Sequence, residues 1–154
     1  MHRAKSHFAR QEIKSLQQTL PLFDPKESVD LRDYPALEAY INFYQLPYRA
    51  HSSDLFAGRL VSGEQQTHVM VWKPADSKGS VILVHGYLDH IGLYGHIIED
   101  LISRGLTVVC FDLIGHGLSS GEPASIQRFA QYVSQLNQVI KATADLCPAP
   151  LHGI

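Results

Sequence analysis

Ser80-Val81-Ile82-Leu83-Val84-His85-Gly86-Tyr87 decides how the chain is read. A short continuous apolar run, rich in β-branched residues, is the pattern of a strand buried on both faces. The His-Gly pair ends it. Helical spacing comes next, at Tyr94, Ile97, Ile98, Leu101 and Ile102, closed by Arg104 and Gly105 in the positions that favour helix C-termini. A second apolar run occupies residues 106–111. Strand, helix and strand in this order imply parallel neighbours joined by a right-handed crossover. In such sheets ligands bind beyond the carboxyl ends of the strands. Two stretches stand there: His85-Gly86-Tyr87 with Asp89 and His90, and Asp112 with Gly115-His116-Gly117.

Upstream, residues 55–62 and 67–73 are β-rich and separated by Gly63-Glu64-Gln65-Gln66, which predicts an antiparallel hairpin. His68 alternates with Val69 and Val71 and is expected on a half-exposed strand face rather than as a ligand. Before the hairpin, Ala9, Ile13, Leu16 and Leu20 repeat at helical spacing until Pro21. Leu37, Tyr40, Ile41 and Tyr44 do the same, with Pro35 suited to a first turn. Downstream, Ser125 is the expected cap of a last helix with the face Ile126, Phe129, Val133, Leu136 and Ile140. Pro148 and Pro150 break it, and Leu151-His152-Gly153-Ile154 is able to start a further strand. The expected organisation is a helical extension over residues 1–46 and an α/β unit over 47–154.

Composition narrows the function classes. With 45% hydrophobic and 18% charged residues, the 154-residue chain has the make-up of a soluble globular protein. A formal charge of −2 and the lack of a basic run give no reason to expect nucleic acid as a partner. Arg3, Lys5 and Arg10 lead into no apolar segment, so a secretory signal is not expected. No apolar run approaches the roughly 18 residues of a membrane span. A cytoplasmic location is the expectation. Cys110 and Cys147 form no motif, and Cys110 reads as a small buried residue. His85, His90 and His96 have the spacing of no standard metal site, and neither metal nor cofactor is expected.

Glycine after a strand permits a sharp turn and leaves the next N–H groups free. Such N–H groups stabilise a developing oxyanion when they point into a pocket. From the dipeptide His85-Gly86 alone, a plain strand-to-helix turn and an oxyanion loop both remain open.

The wider pattern carries a resemblance. His85-Gly86-Tyr87-Leu88-Asp89-His90, with Gly92 and Tyr94 after it, resembles the oxyanion loop of α/β-hydrolases, in particular the monoacylglycerol lipase and lysophospholipase-like branch. That branch typically shows His-Gly-x-x-Glu-His-x-x-x-Tyr; here Asp89 replaces the Glu and Leu93 stands where Arg is common. Phe111-Asp112-Leu113-Ile114-Gly115-His116-Gly117-Leu118-Ser119 is similar to the family's Asp-x-x-Gly-His-Gly-x-Ser loop. The likeness runs from Asp54 onward.

The resemblance implies the N-terminal part of an α/β-hydrolase fold, a β-hairpin and then a parallel βαβα unit, preceded by two short helices. It implies a serine hydrolase acting on a small-molecule or lipid carboxylic ester, without cofactor. The backbone N–H of Tyr87 becomes the oxyanion donor, and His85, Gly86, His90, Asp112, Gly115, His116 and Gly117 shape the two loops. In this family the nucleophile sits in a Gly-x-Ser-x-Gly elbow between strand and helix. Gly117-Leu118-Ser119-Ser120-Gly121 fits that pattern but lies well past its strand, and Pro123 interrupts the segment before the next helix, so Ser119 is expected to be a decoy. The elbow is expected after the strand starting near Leu151, so nucleophile, acid and base are expected beyond Ile154, and the isolated chain is expected to be inactive. An epoxide or haloalkane hydrolase of the same fold is the rival within enzymes, although those branches usually carry Pro where Leu88 stands. A non-catalytic fragment or binding module is the alternative outside them. An unpaired edge on the strand leading to His85 predicts self-association.

Overall fold

The computed structural model describes residues 8–154; Arg3 and Lys5 lie outside that range. Five strands form one sheet: β1 (Ser53–Ser62), β2 (Gln65–Pro74), β3 (Gly79–Val84), β4 (Leu106–Phe111) and β5 (Leu151–Gly153), in the order β1-β2-β4-β3-β5. β1 and β2 are an antiparallel hairpin, β2 runs antiparallel to β4, and β3 is parallel to both β4 and β5. The hairpin link is two residues rather than four. Gly63 takes φ 59°, and Gln65 and Gln66 already pair with Ser62 and Val61. A turn of two residues holds this register because its twist matches that of the strands.

Helices cover both faces of the sheet. α1 (Arg10–Thr19), α2 (Pro35–Tyr44) and α3 (Gly95–Ser103) share a core with Leu55, Met70, Trp72, Leu83, Val108 and Cys110. α4 (Ala130–Thr143) packs on the opposite face against Phe56, Val71, Ile82, Val109 and Phe111. The N-terminal segment also closes one edge of the sheet. Phe23 N donates to Arg59 O and Arg59 N to Pro21 O, while Val29 N donates to Leu55 O. Gly58 allows this approach, since a Cβ there would stand 2.7 Å from Phe23 N.

Two expectations change. α4 begins at Ala130, five residues after the expected cap Ser125. Its amino end is tied from within the helix, because Gln131 Oε1 accepts from the N–H groups of Gln127 and Arg128. The face that the helix buries carries Gln135, Val139 and Thr143, while Phe129 and Val133 are exposed. The outer edge of β3 is also not open. β5 pairs with Ser80–Ile82, and Val84 N donates to Ile154 O. The edge without a neighbour among the described residues is the outer side of β5.

Candidate active site

Asp112 closes β4 and gathers the strand ends around itself. Its carboxylate is fully buried. Oδ1 accepts from Ile91 N at 2.8 Å, and Oδ2 accepts from Leu118 N and from His68 Nδ1, both at 2.9 Å. Burial pushes this carboxyl up, but the hydrogen bond and charge of His68 and the N–H groups of Leu118 and Ile91 outweigh it, leaving Asp112 below the usual carboxylate range. Gly117 has φ 50°, and a Cβ there would collide with the Asp112 carboxylate. The glycine is required twice, by its backbone angle and by the closeness of the acid.

His68 corrects the sequence reading: it is buried, not half exposed. β2 lies between β1 and β4, and the face holding His68, Met70 and Trp72 is covered by the helical N-terminal segment. The unbroken apolar run Val69-Met70-Val71-Trp72 was the available signal, because a strand wet on one face alternates instead. His68 Nε2 has no hydrogen-bond partner among the described residues.

Ser119 sits beside this pair, yet both of its roles are taken by backbone. Its Oγ donates to Asp112 O at 2.6 Å and accepts from His68 N at 2.9 Å. The side chain is buried, and the hydroxyl has no hydrogen bond to an imidazole ring among the described residues.

The loop after β3 is held at several points. His85 Nε2 accepts from Leu113 N at 2.9 Å, and its Nδ1–H donates to Gly86 O at 2.8 Å. These partners specify the neutral tautomer with the proton on Nδ1. His116 repeats the device, accepting from Leu88 N and donating to Ile114 O. Tyr94 Oη donates to Asp89 Oδ2 at 2.8 Å and accepts from Gly86 N at 3.3 Å. His90 Nδ1 accepts from Gly92 N at 3.1 Å, capping the 3₁₀ turn Ile91–Tyr94, and the Tyr40 hydroxyl lies 3.4 Å from the same nitrogen. Burial is the main cause that pulls the His90 imidazole below its ordinary range.

Gly86 does not adopt a positive φ; Leu88 does, at 65°. The residue that turns the loop is therefore two positions later than the sequence suggests. Between the anchored N–H groups of Gly86 and Leu88, the Tyr87 N–H has no partner among the described residues.

Beside this loop lies an apolar cleft of about 380 Å³ at the carboxyl ends of β3 and β4. Val84, Phe111 and Leu113 line it from the strand ends and Phe129, Val133 and Leu136 from the α4 region, with His85 and Tyr87 completing the lining. Gln135, which sequence reasoning missed, ties α4 to the site: it accepts from Ile114 N and donates to Thr67 Oγ1 and Asp112 O. Among the described residues no three of His, Cys, Asp and Glu are grouped to hold a metal ion. Cys110 is fully buried, which pushes its thiol well above the ordinary range.

This architecture, a parallel βαβα unit behind an antiparallel hairpin with polar loops at the strand ends, also occurs in known enzymes. A soluble variant of monoglyceride lipase from Saccharomyces cerevisiae superposes with a TM-score of 0.58 at 18% identity, over 70% of this chain and 38% of that one. The class defined by the fold is the α/β-hydrolases. Residues 75–149 match the family model described as serine aminopeptidase, S33. The monoacylglycerol lipase of Mycolicibacterium smegmatis is 33% identical over 76 residues, which are 49% of this chain and 27% of that protein. Protein K6 of vaccinia virus is 41% identical over 59 residues, which are 38% of this chain and 73% of that protein. The chain belongs to the α/β-hydrolase superfamily, in its monoacylglycerol lipase-like branch. It spans about a quarter of the length of the mycobacterial relative. No helix among the described residues is long and apolar enough to cross a membrane.

Proposed function

We propose that this chain supplies the oxyanion loop of a serine hydrolase acting on carboxylic esters with an apolar acyl group, monoacylglycerols or lysophospholipids being the substrate class. The observation that carries the reading is the Tyr87 N–H, unpartnered in a loop whose neighbouring amides are anchored by Tyr94 and His116. A donor held this way is oriented before charge develops on the ester oxygen, which is where such groups accelerate acyl transfer. The adjoining apolar cleft accepts the acyl chain, and Tyr87 stands where cleft and donor meet.

Ser119 is not the nucleophile in this reading. Its hydroxyl is engaged with two backbone groups and buried, and no base is placed to take its proton. The nucleophile, its base and its acid come from sequence outside these 154 residues, and the chain by itself does not turn over substrate. The names of its relatives, monoacylglycerol lipases among them, support the ester chemistry.

A graft of residues 75–149 into the matching segment of the mycobacterial lipase tests the donor. Tyr87→Pro removes the N–H and should lower kcat by about 10²–10³ with little change in KM. Tyr87→Ala keeps the N–H and should stay within about tenfold of the parent graft. Equal rates for the Pro and Ala variants would exclude Tyr87 as the donor.

A further inference from the structure

A second cavity, of about 710 Å³, lies between α1 and the loop that carries Ser119 and Gly121, on the side of the Asp112 network away from the apolar cleft and bordering it through Leu118 and Ser119. Its volume falls in the range of roughly 300–1,000 Å³ usual for small-molecule sites. It shares no lining residue with the apolar cleft, and its character is opposite. Lys14 and Arg59 bring two positive charges to its wall, together with Gln18, Gln66 and Ser120, and no carboxylate lines it. Neither cation is in an ion pair among the described residues, and residues 1–7 contain no Asp or Glu. Two uncompensated cations in one cavity are unexpected in a chain of net charge −2.

The hydrogen bonds within the cavity are arranged so that donors remain. Arg59 Nε donates to Leu20 O at 3.0 Å, and its backbone is clamped on both sides by Pro21 and Phe23. The guanidinium is thus fixed through one nitrogen, and neither Nη takes part in a hydrogen bond among the described residues. Ser120 Oγ accepts from Gln66 N at 2.8 Å, which leaves its own proton free to donate outward. Lys14 Nζ and the Gln66 side chain have no partner among the described residues. A planar guanidinium, an ammonium and a hydroxyl lining one cavity without an acid match the several oxygens of a phosphate, where Arg binds through paired N–H groups and Lys as a point charge.

We infer that the Lys14–Arg59 cavity is a binding site for a phosphate monoester group, carried either by a soluble molecule or by a lipid headgroup. The site does not depend on the ester-hydrolase reading.

The test is a titration of the 154-residue chain with inorganic phosphate and with glycerol phosphate, monitored by amide NMR at ionic strength held constant with chloride. Saturable shifts are expected at residues 119–121 and at Arg59. Lys14→Glu, at an exposed position of α1, should weaken binding by about tenfold or more through loss of a charge-assisted contact. Arg59→Lys, which keeps the charge and loses the fork, should weaken it by a smaller factor. Flotation with phosphatidic acid vesicles, against phosphatidylcholine alone, separates the sources. Vesicle binding reversed by glycerol phosphate assigns a headgroup, and binding of soluble phosphate without vesicle binding assigns a soluble ligand; each supports the site. Shifts that chloride reproduces, affinity unchanged in Lys14→Glu, or binding of neither probe would overturn it.

Discussion

Asp112 is the residue on which the strand ends depend. Three donors from three parts of the chain converge on a carboxylate with no access to water. Asparagine at this position offers one acceptor oxygen and turns an amide toward the remaining donors. Leaving a buried donor without its acceptor costs about 1–3 kcal/mol, so Asp112→Asn should lower the unfolding free energy by at least that order in urea titration. A loss under about 1 kcal/mol would mean that the network does not hold the fold. The motif loop around Asp112 was legible from the sequence, because strand-end position and glycine spacing mark it. His68 reads as half exposed by alternation, although the unbroken run Val69–Trp72 marks a strand covered on both faces; what covers it is set by the N-terminal helices, which lie far away in sequence.

Among the elements, the 3₁₀ turn Ile91–Tyr94 should respond to pH. His90 caps it through Nδ1, which must be unprotonated to accept from Gly92 N. Burial holds the folded value of this imidazole below the ordinary value of about 6.5. The unfolded chain therefore takes up the proton first. The stabilisation is complete above the unfolded value and is lost as pH falls through the lower folded value. The thermal midpoint should drop between about pH 7.5 and 5.5, and His90→Asn, whose side-chain oxygen still caps the turn, should flatten that slope. An unchanged slope in the variant would remove His90 from the explanation. Strands β3 and β4 were legible almost to the residue because both are continuous apolar runs. The start of α4 was not: Ser125 has the chemistry of a cap, but Gln131 reaches back and ends the loop later, an i−3 and i−4 contact that competes with any local cap signal.

At the scale of the molecule, the sheet has two unlike edges. The β1 edge is covered by the Pro21 to Val29 segment, whereas the outer side of β5 has no neighbour among the described residues, with Leu151 44% and Ile154 61% exposed. Open apolar edges pair with other chains. Light scattering of the purified chain should show a mass that rises with concentration, and Leu151→Lys with Ile154→Lys should restore the monomer; a monomer at every concentration would contradict this. The same half-open sheet underlies the functional reading, in which the chain presents a donor and a cleft but no nucleophile. Hydrolysis of p-nitrophenyl butyrate by the purified 154-residue chain, measured beside Ser119→Ala, bears on that directly. Both proteins should give only the background rate of the buffer. Turnover by the chain that disappears in Ser119→Ala would make Ser119 a nucleophile and contradict the assignment.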